Sequence, residues 1–208
     1  MGKIVVCGAG GLGREIIGLL ERMNSDSRWE IVGFSDASAS GGRTIRGYPV
    51  MSEEDLLSFD EPIDAVIGVG FPASREKIFR KFSQNPHIRF PATVSPDSHV
   101  ARGVELQEGT LITGLCSVSP DVSLGRGVLL NGYNAIGHDA RIGDFSVVMA
   151  FSLIAGNVNI GSGVLVGAGS IITQGLDVGA NAEICSGCVV VRDVKDGAKM
   201  MGNPARAI

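Results

Sequence analysis

Ile136-Gly137-His138-Asp139-Ala140-Arg141-Ile142-Gly143-Asp144-Phe145-Ser146-Val147-Val148 carries the reading that decides the fold: a branched aliphatic returns at every sixth residue. Followed outward, the beat runs without exception through Val94, Val100, Leu106, Ile112, Val118, Leu124, Leu130, Ile136, Ile142, Val148, Ile154, Ile160, Val166, Ile172, Val178, Ile184 and Val190. A period of six matches neither the helical 3.6 nor the plain alternation of a strand. It is an internal repeat, and it fits a parallel β-helix in which each short segment points one aliphatic inward and then turns a corner. Three hexads close one triangular coil, so the run predicts between five and six coils. Four residues after the aliphatic, the side chain is mostly small or branched, as at Ser98, Thr110, Cys116, Ala140, Ser146, Ser152, Ser170 and Ala182. Glycine often follows the aliphatic directly, at Gly125, Gly137, Gly143, Gly161, Gly167 and Gly179. The reading there is a backbone that needs freedom to turn.

Composition agrees with a solenoid. Thirty glycines and a 5% aromatic content suit a core of small and branched side chains. The net charge of −4 speaks against nucleic acid or an anionic membrane surface as partner. The first residues lack the basic-then-apolar pattern of a secretion signal, and no apolar span is long enough for a membrane helix, which predicts a soluble cytoplasmic protein. Cys7, Cys116, Cys185 and Cys188 read as packing residues; Cys185-Ser-Gly-Cys188 is a single pair, and Cys116 and Cys188 occupy small-residue slots of their hexads.

The first ninety residues follow a different rule. Lys3-Ile4-Val5-Val6-Cys7 reads as a buried strand, Gly8-Ala9-Gly10-Gly11-Leu12-Gly13 follows at once, and Arg14 to Met23 reads as an amphipathic helix. Strand, glycine loop and helix match the G-x-G-x-x-G arrangement, whose glycines admit a phosphate to the N–H groups of a helix start. A tight turn with no ligand is the other reading. A second strand over Glu30 to Phe34 stops just before Asp36, where such folds place an acid near a ribose or base. Ile63 to Val69 reads as a third strand with Gly68 at its end, and Ser74 to Phe82 as a basic helix bearing Arg75, Lys77, Arg80 and Lys81. An NAD oxidoreductase is one reading, but about ninety residues hold only half of a dinucleotide fold, which favours a single nucleotide.

The order of these parts, ending in Gly202-Asn203-Pro204-Ala205-Arg206 and including Ile67-Gly68, Arg75 and Lys77-Ile78, resembles the bacterial sugar acyltransferases over essentially the whole chain. That family includes sialic acid O-acetyltransferases and N-acetyltransferases acting on nucleotide-linked 4-amino-dideoxy sugars. The resemblance implies a Rossmann-like α/β half-domain over 1–90, a left-handed parallel β-helix over 91–195 and a C-terminal tail over 196–208. It also implies a homotrimer with sites at subunit interfaces. The nucleotide sugar is then expected at Gly8, Gly10, Gly11, Leu12, Gly13, Asp36 and Gly68, with Asn131 near the acceptor sugar; a hydrogen-bonded turn is the other reading of Asn131. Acetyl-CoA, the implied co-substrate, is expected along Val147, Gly156, Ala168, Gly187 and Pro204, with the Gly156 N–H as oxyanion donor.

Gly137-His138-Asp139-Ala140-Arg141-Ile142-Gly143-Asp144 matches the family's catalytic stretch. His138 stands two places after the inward Ile136, so its register aims it out of the core, and a carboxylate follows it. An imidazole so placed serves as a general base, while an ordinary surface histidine is the bland reading. The implied reaction is direct acetyl transfer to the amine of a nucleotide-linked amino sugar, with His138 as base and Asp139 orienting it. O-acetylation of a sialic-acid-like sugar and a non-catalytic sugar-nucleotide-binding scaffold are the rival readings. Two positions depart from the family pattern: Leu12 and Val147 stand where members often carry histidine. His87 and His99 read as structural or solvated, and three histidines with no pair at metal spacing argue against a zinc site, so no metal is expected.

Overall fold

The computed structural model describes residues 1–25, 27–39 and 42–208. These fall into two compact units, Met1–Gly70 with Ser74–Pro91, and Phe71–Ala73 with Ala92–Ile208.

In the first unit the elements run β1 (Gly2–Cys7), α1 (Gly11–Met23), β2 (Trp29–Ser35), β3 (Thr44–Ile45), β4 (Tyr48–Met51), α2 (Glu53–Leu57), β5 (Ile63–Ile67), α3 (Pro72–Phe82) and β6 (Ile88–Arg89). The sheet order is β3-β4-β2-β1-β5-β6, parallel except for the β3–β4 hairpin. Ile4, Val5 and Val6 are all fully buried, as expected of a strand covered on both faces in a parallel sheet. α1 buries Ile16, Ile17, Leu19 and Leu20 at helical spacing. With β2 on one side and β5 on the other, β1 lies where the strand order reverses, and its end is where such sheets bind ligands. This is the Rossmann-like half-domain.

α3 departs from the basic helix of the sequence reading in one respect. Arg75 is fully buried, and its Nη1 donates to the Ile67 and Val69 carbonyls at 3.0 and 2.9 Å. Those carbonyls lie at and just past the end of β5, so Arg75 closes a strand end instead of joining a charged face.

The second unit is the left-handed β-helix. Its first face stacks Thr93–Val94, Leu111–Ile112, Leu129–Leu130, Val147–Val148, Leu165–Val166 and Glu183–Ile184, then closes with Lys199–Gly202 and the antiparallel Ala205–Ala207. The 196–208 segment therefore continues this sheet. The second face stacks His99–Val100, Ser117–Val118, Ala135–Ile136, Leu153–Ile154, Ile171–Ile172 and Val189–Val190. The third stacks Glu105–Leu106, Ser123–Leu124, Arg141–Ile142, Asn159–Ile160 and Asp177–Val178. The six-residue aliphatics point inward into one cluster, and Cys116, Ala140, Ala182 and Cys188 fill the small slots between them.

The glycines after the aliphatics have a different cause from the one the sequence suggested. None of the six has a positive φ; that conformation falls two residues later, at Leu115, Asp121, Tyr133, Asp139, Phe145, Phe151, Asn157 and Asn181 among others. What excludes a side chain after the aliphatic is the next coil. A Cβ on Gly143 would stand 2.6 Å from the Ser162 nitrogen, and one on Gly137 would run into the Gly156 nitrogen. Close stacking of rungs, not turning freedom, selects glycine there.

Candidate active site

His138 stands on the corner between the second and third faces, 57% exposed, with Asp139 beside it at 54%. The corner places Asp139 in the left-handed region, φ 59°, a conformation Asp tolerates better than most residues. From there Asp139 Oδ2 lies 2.7 Å from His138 Nδ1. A carboxylate only accepts hydrogen bonds, so Nδ1 is the donor, and the lone pair of the neutral ring is left on Nε2. The other edge of the ring lies over Gly156 of the next coil: a Cβ there would meet Nε2 at 2.8 Å and Cε1 at 2.9 Å. Glycine at 156 is therefore what lets the imidazole settle against the coil.

The Gly156 N–H occupies the hexad position of the Arg126 and Ala180 N–H groups. Those two reach outward to Asp144 Oδ1 and Asp196 Oδ1, each at 2.9 Å. Among the described residues the Gly156 N–H has no acceptor. An outward donor and a basic nitrogen thus share one corner.

The remaining positions at which the sugar and acetyl-CoA are expected in this unit lie elsewhere. Asn131 is on the preceding corner, between the first and second faces, with Thr113 Oγ1 donating to its Oδ1 at 3.4 Å. Ala168 and Gly187 lie higher on that corner, both exposed, joined by Gly187 N–H to the Ala168 carbonyl at 2.8 Å. Tyr133 and Phe151 stack between these levels, ring centroids 4.6 Å apart and planes within 9°. They are 54% and 66% exposed, although both sit at the left-handed corner position where glycine or asparagine would be unstrained. Pro204 lies exposed in the turn of the closing hairpin. Val147 lies on the first face, half a coil from His138, and is fully buried. Leu111 and Leu129 below it also point away from the solenoid core and are also fully buried. Val147 therefore offers no surface to a ligand, and the acetyl-CoA contact implied there is not open.

In the first unit the glycine loop divides in two. Gly8, Gly13 and Gly68 pack on one another: a Cβ on Gly13 would overlap the Gly8 carbonyl, and one on Gly68 would come 3.0 Å from the Gly13 Cα. Gly10 and Gly11 face open space at the start of α1, which has no side-chain cap and no acid in its first turn. Those two are the ones placed for an anion, and Leu12 beside them is half-buried. Asp36 accepts from the Ala9 N–H at 2.8 Å and from the Ser38 N–H at 2.9 Å, pinning the loop. Burial raises the Asp36 carboxyl, but the Ser38 hydroxyl, the Ala9 and Ser38 N–H groups and Arg43 outweigh it and hold it below the usual carboxylate range. Beside it opens a cavity of about 170 Å³, lined by Gly8, Asp36, Val69 and, missed in the sequence reading, Glu53. Ser52-Glu53-Glu54-Asp55 is a capping box, a local signal that would have fixed the helix start though not the cavity. His87 and His99 are exposed. Among the described residues no cluster of three metal-ligating side chains forms, and no helix is long and apolar enough to cross a membrane.

Comparison with other proteins agrees with this architecture. Residues 3–82 match the PglD N-terminal domain, and residues 139–174 match the six-repeat bacterial transferase hexapeptide. No curated protein sequence matches the chain. Among solved structures, WeeI from Acinetobacter baumannii is 28% identical, with a TM-score of 0.89 and 100% of each chain covered. The acetyltransferase domain of PglB from Neisseria gonorrhoeae, in complex with acetyl coenzyme A, is 26% identical with a TM-score of 0.90, covering 99% of this chain and 98% of that one. A mutant of perosamine N-acetyltransferase from Caulobacter crescentus, in complex with CoA and GDP-perosamine, is 24% identical with a TM-score of 0.92, covering 100% of this chain and 97% of that one; this likeness is one of fold. The class is that of the hexapeptide-repeat acyltransferases, and the chain is an enzyme of that class. Within it, the chain resembles the PglD-like sugar acyltransferases, since it joins a domain matching the PglD N-terminal domain to the hexapeptide repeats.

Proposed function

We propose that this chain transfers an acetyl group from acetyl-CoA to the amine of a nucleotide-linked amino sugar, with His138 as general base. The observation that carries the proposal is the His138 corner itself: Nδ1 tied to Asp139 at 2.7 Å, and the ring laid over Gly156, whose N–H has no acceptor among the described residues. In this reading His138 Nε2 takes a proton as the amine nitrogen bonds to the thioester carbonyl carbon. Asp139 holds the tautomer and faces the imidazolium that forms. The Gly156 N–H donates to the oxygen that gains charge. As the C–S bond breaks, Nε2 returns its proton to the departing thiolate, so no acyl-enzyme forms.

The site is completed by a second copy. His138 and Gly156 stand on one corner, while Asn131, Ala168 and Gly187 stand on another, with the second face between them. From Ala135 onward the exposed residues of that face are apolar, with Leu153 at 40% and Ile171 at 38%, and the Tyr133–Phe151 pair borders it. A three-fold ring of identical solenoids covers this surface and brings unlike corners together.

The test is free-thiol release from acetyl-CoA with matched nucleotide sugars bearing an amine or a hydroxyl at the acceptor carbon. Release with the amino sugars alone is expected. Release only with hydroxy or sialic-type sugars contradicts the amine assignment, and release with neither contradicts the enzyme reading.

A further inference from the structure

The cavity at the end of β1 bears on which nucleotide is bound, an inference that rests on reading the chain as a nucleotide-sugar transferase. Its walls are apolar, formed by Cys7, Val69, Ile78 and Phe82. Cys7 is fully buried, and burial, with a smaller contribution from Glu53, pushes its thiol far up, so it presents an uncharged surface. A volume of about 170 Å³ between such walls suits one heterocycle. The cavity opens beside Gly8, the first residue of the turn that leads to the bare N-terminus of α1, so a base held there leaves its phosphates toward Gly10 and Gly11.

Its charged groups are both carboxylates, and no lysine or arginine lines it. Asp36 is nearly saturated, accepting from the Ala9 N–H, the Ser38 N–H and the Ser38 hydroxyl. A carboxylate has about four acceptor positions, so little remains free there. Glu53 differs. Lys81 occupies Oε2, and Oε1 has no hydrogen bond among the described residues. With its side chain 23% exposed, Glu53 leaves acceptor capacity at the lining of a largely apolar slot.

Acceptors alone discriminate among bases. Uracil and thymine offer one N–H between two carbonyl oxygens, and a carboxylate repels those oxygens. Cytosine and adenine offer an amino group next to a ring nitrogen that is itself an acceptor. Guanine offers two adjacent donors, N1–H and the 2-amino group, which match one carboxylate in bidentate fashion, here through the free Oε1 and the second acceptor position of the Oε2 that Lys81 also binds. We propose that Glu53 selects guanine, so that the acceptor sugar is carried on guanosine diphosphate.

Calorimetric titration of the full chain with GDP, IDP, UDP and dTDP tests this. GDP is expected to bind tightest. IDP, which lacks only the 2-amino group, is expected about tenfold weaker, the size of one lost hydrogen bond to a charged group. Glu53→Gln puts an amide donor or a neutral acceptor where the charge was, and is expected to narrow the GDP-to-UDP ratio by at least about tenfold. The IDP comparison needs no variant, so it stands even if the Gln protein folds poorly. Tighter binding of UDP or dTDP, or equal binding of IDP and GDP, overturns the guanine assignment and leaves the acetyl transfer at His138 untouched. A chain that binds none of the four overturns both this proposal and the nucleotide-sugar reading.

Discussion

The corner that carries His138 and the corner that carries Tyr133 and Phe151 share one backbone and hold opposite chemistry. On both, the third residue after the aliphatic is left-handed, φ 59° at Asp139, 59° at Tyr133 and 63° at Phe151. One corner presents an imidazole, a carboxylate and a bare glycine. The other presents stacked aromatic faces, then open glycines at Gly169 and Gly187. Holding a bulky residue left-handed costs roughly 1–2 kcal/mol, which stacking of about 0.5–1.5 kcal/mol only partly offsets in the single chain. Surface that a monomer exposes at such a cost points to burial elsewhere, which is the role the proposed trimer would give it. The hexad thus fixes where a side chain can stand, and the outward positions decide what it does there.

Three substitutions break or sharpen this contrast, in falling order of effect. Gly156→Ala puts a methyl into the His138 ring and is expected to lower kcat by about a hundredfold through misplacing the base. Gly169→Ala on the aromatic corner meets open space, and its left-handed φ of 69° puts the strain into stability instead of the His138 ring, so steady-state rates should separate the two glycines; equal losses would remove the special standing of Gly156. Phe151→Ser is expected to weaken self-association, read by sedimentation equilibrium, while leaving the thermal transition of the unassembled chain within about 1–2 kcal/mol of wild type. Unchanged assembly would assign the aromatic pair another role. The smallest effect lies outside both corners. The Asp36 carboxyl sits below its usual range, so its contribution to stability is fully present above about pH 4 and is lost as pH falls through its lowered folded value. Asp36→Asn should flatten that part of a melting-temperature profile taken from pH 6 to pH 3.

The solenoid was legible because inward positions obey one constraint repeated many times, and each aliphatic from Ile112 to Val190 lies in the core as its spacing predicts. Outward positions obey no such rule. Val147 occupies an outward slot and is nevertheless fully buried, because covering depends on what packs over a face and not on the hexad. The glycines were found but given the wrong cause, since rung stacking is a contact between residues roughly eighteen apart that local turn preferences do not register. Arg75 misled for a related reason: a helical charge count says nothing of the strand-end carbonyls at Ile67 and Val69 that draw its guanidinium inward. His138 and Asp139 could be read because both factors were local, the register that turns the ring out and the neighbour that orients it. Glu53 could not, since its cavity is assembled from five separate stretches of chain.

The central claim is that the His138 corner performs the proton transfer. Acetyl transfer from acetyl-CoA to a nucleotide-linked amino sugar, measured for the wild type and for His138→Ala with assembly and melting temperature checked for both, tests it most directly. Because the side chain is 57% exposed, the variant should keep its fold and its oligomeric state. Its kcat should fall by about 10²–10⁴, the usual contribution of a positioned general base. A variant that assembles normally and transfers acetyl groups at the wild-type rate would contradict the account.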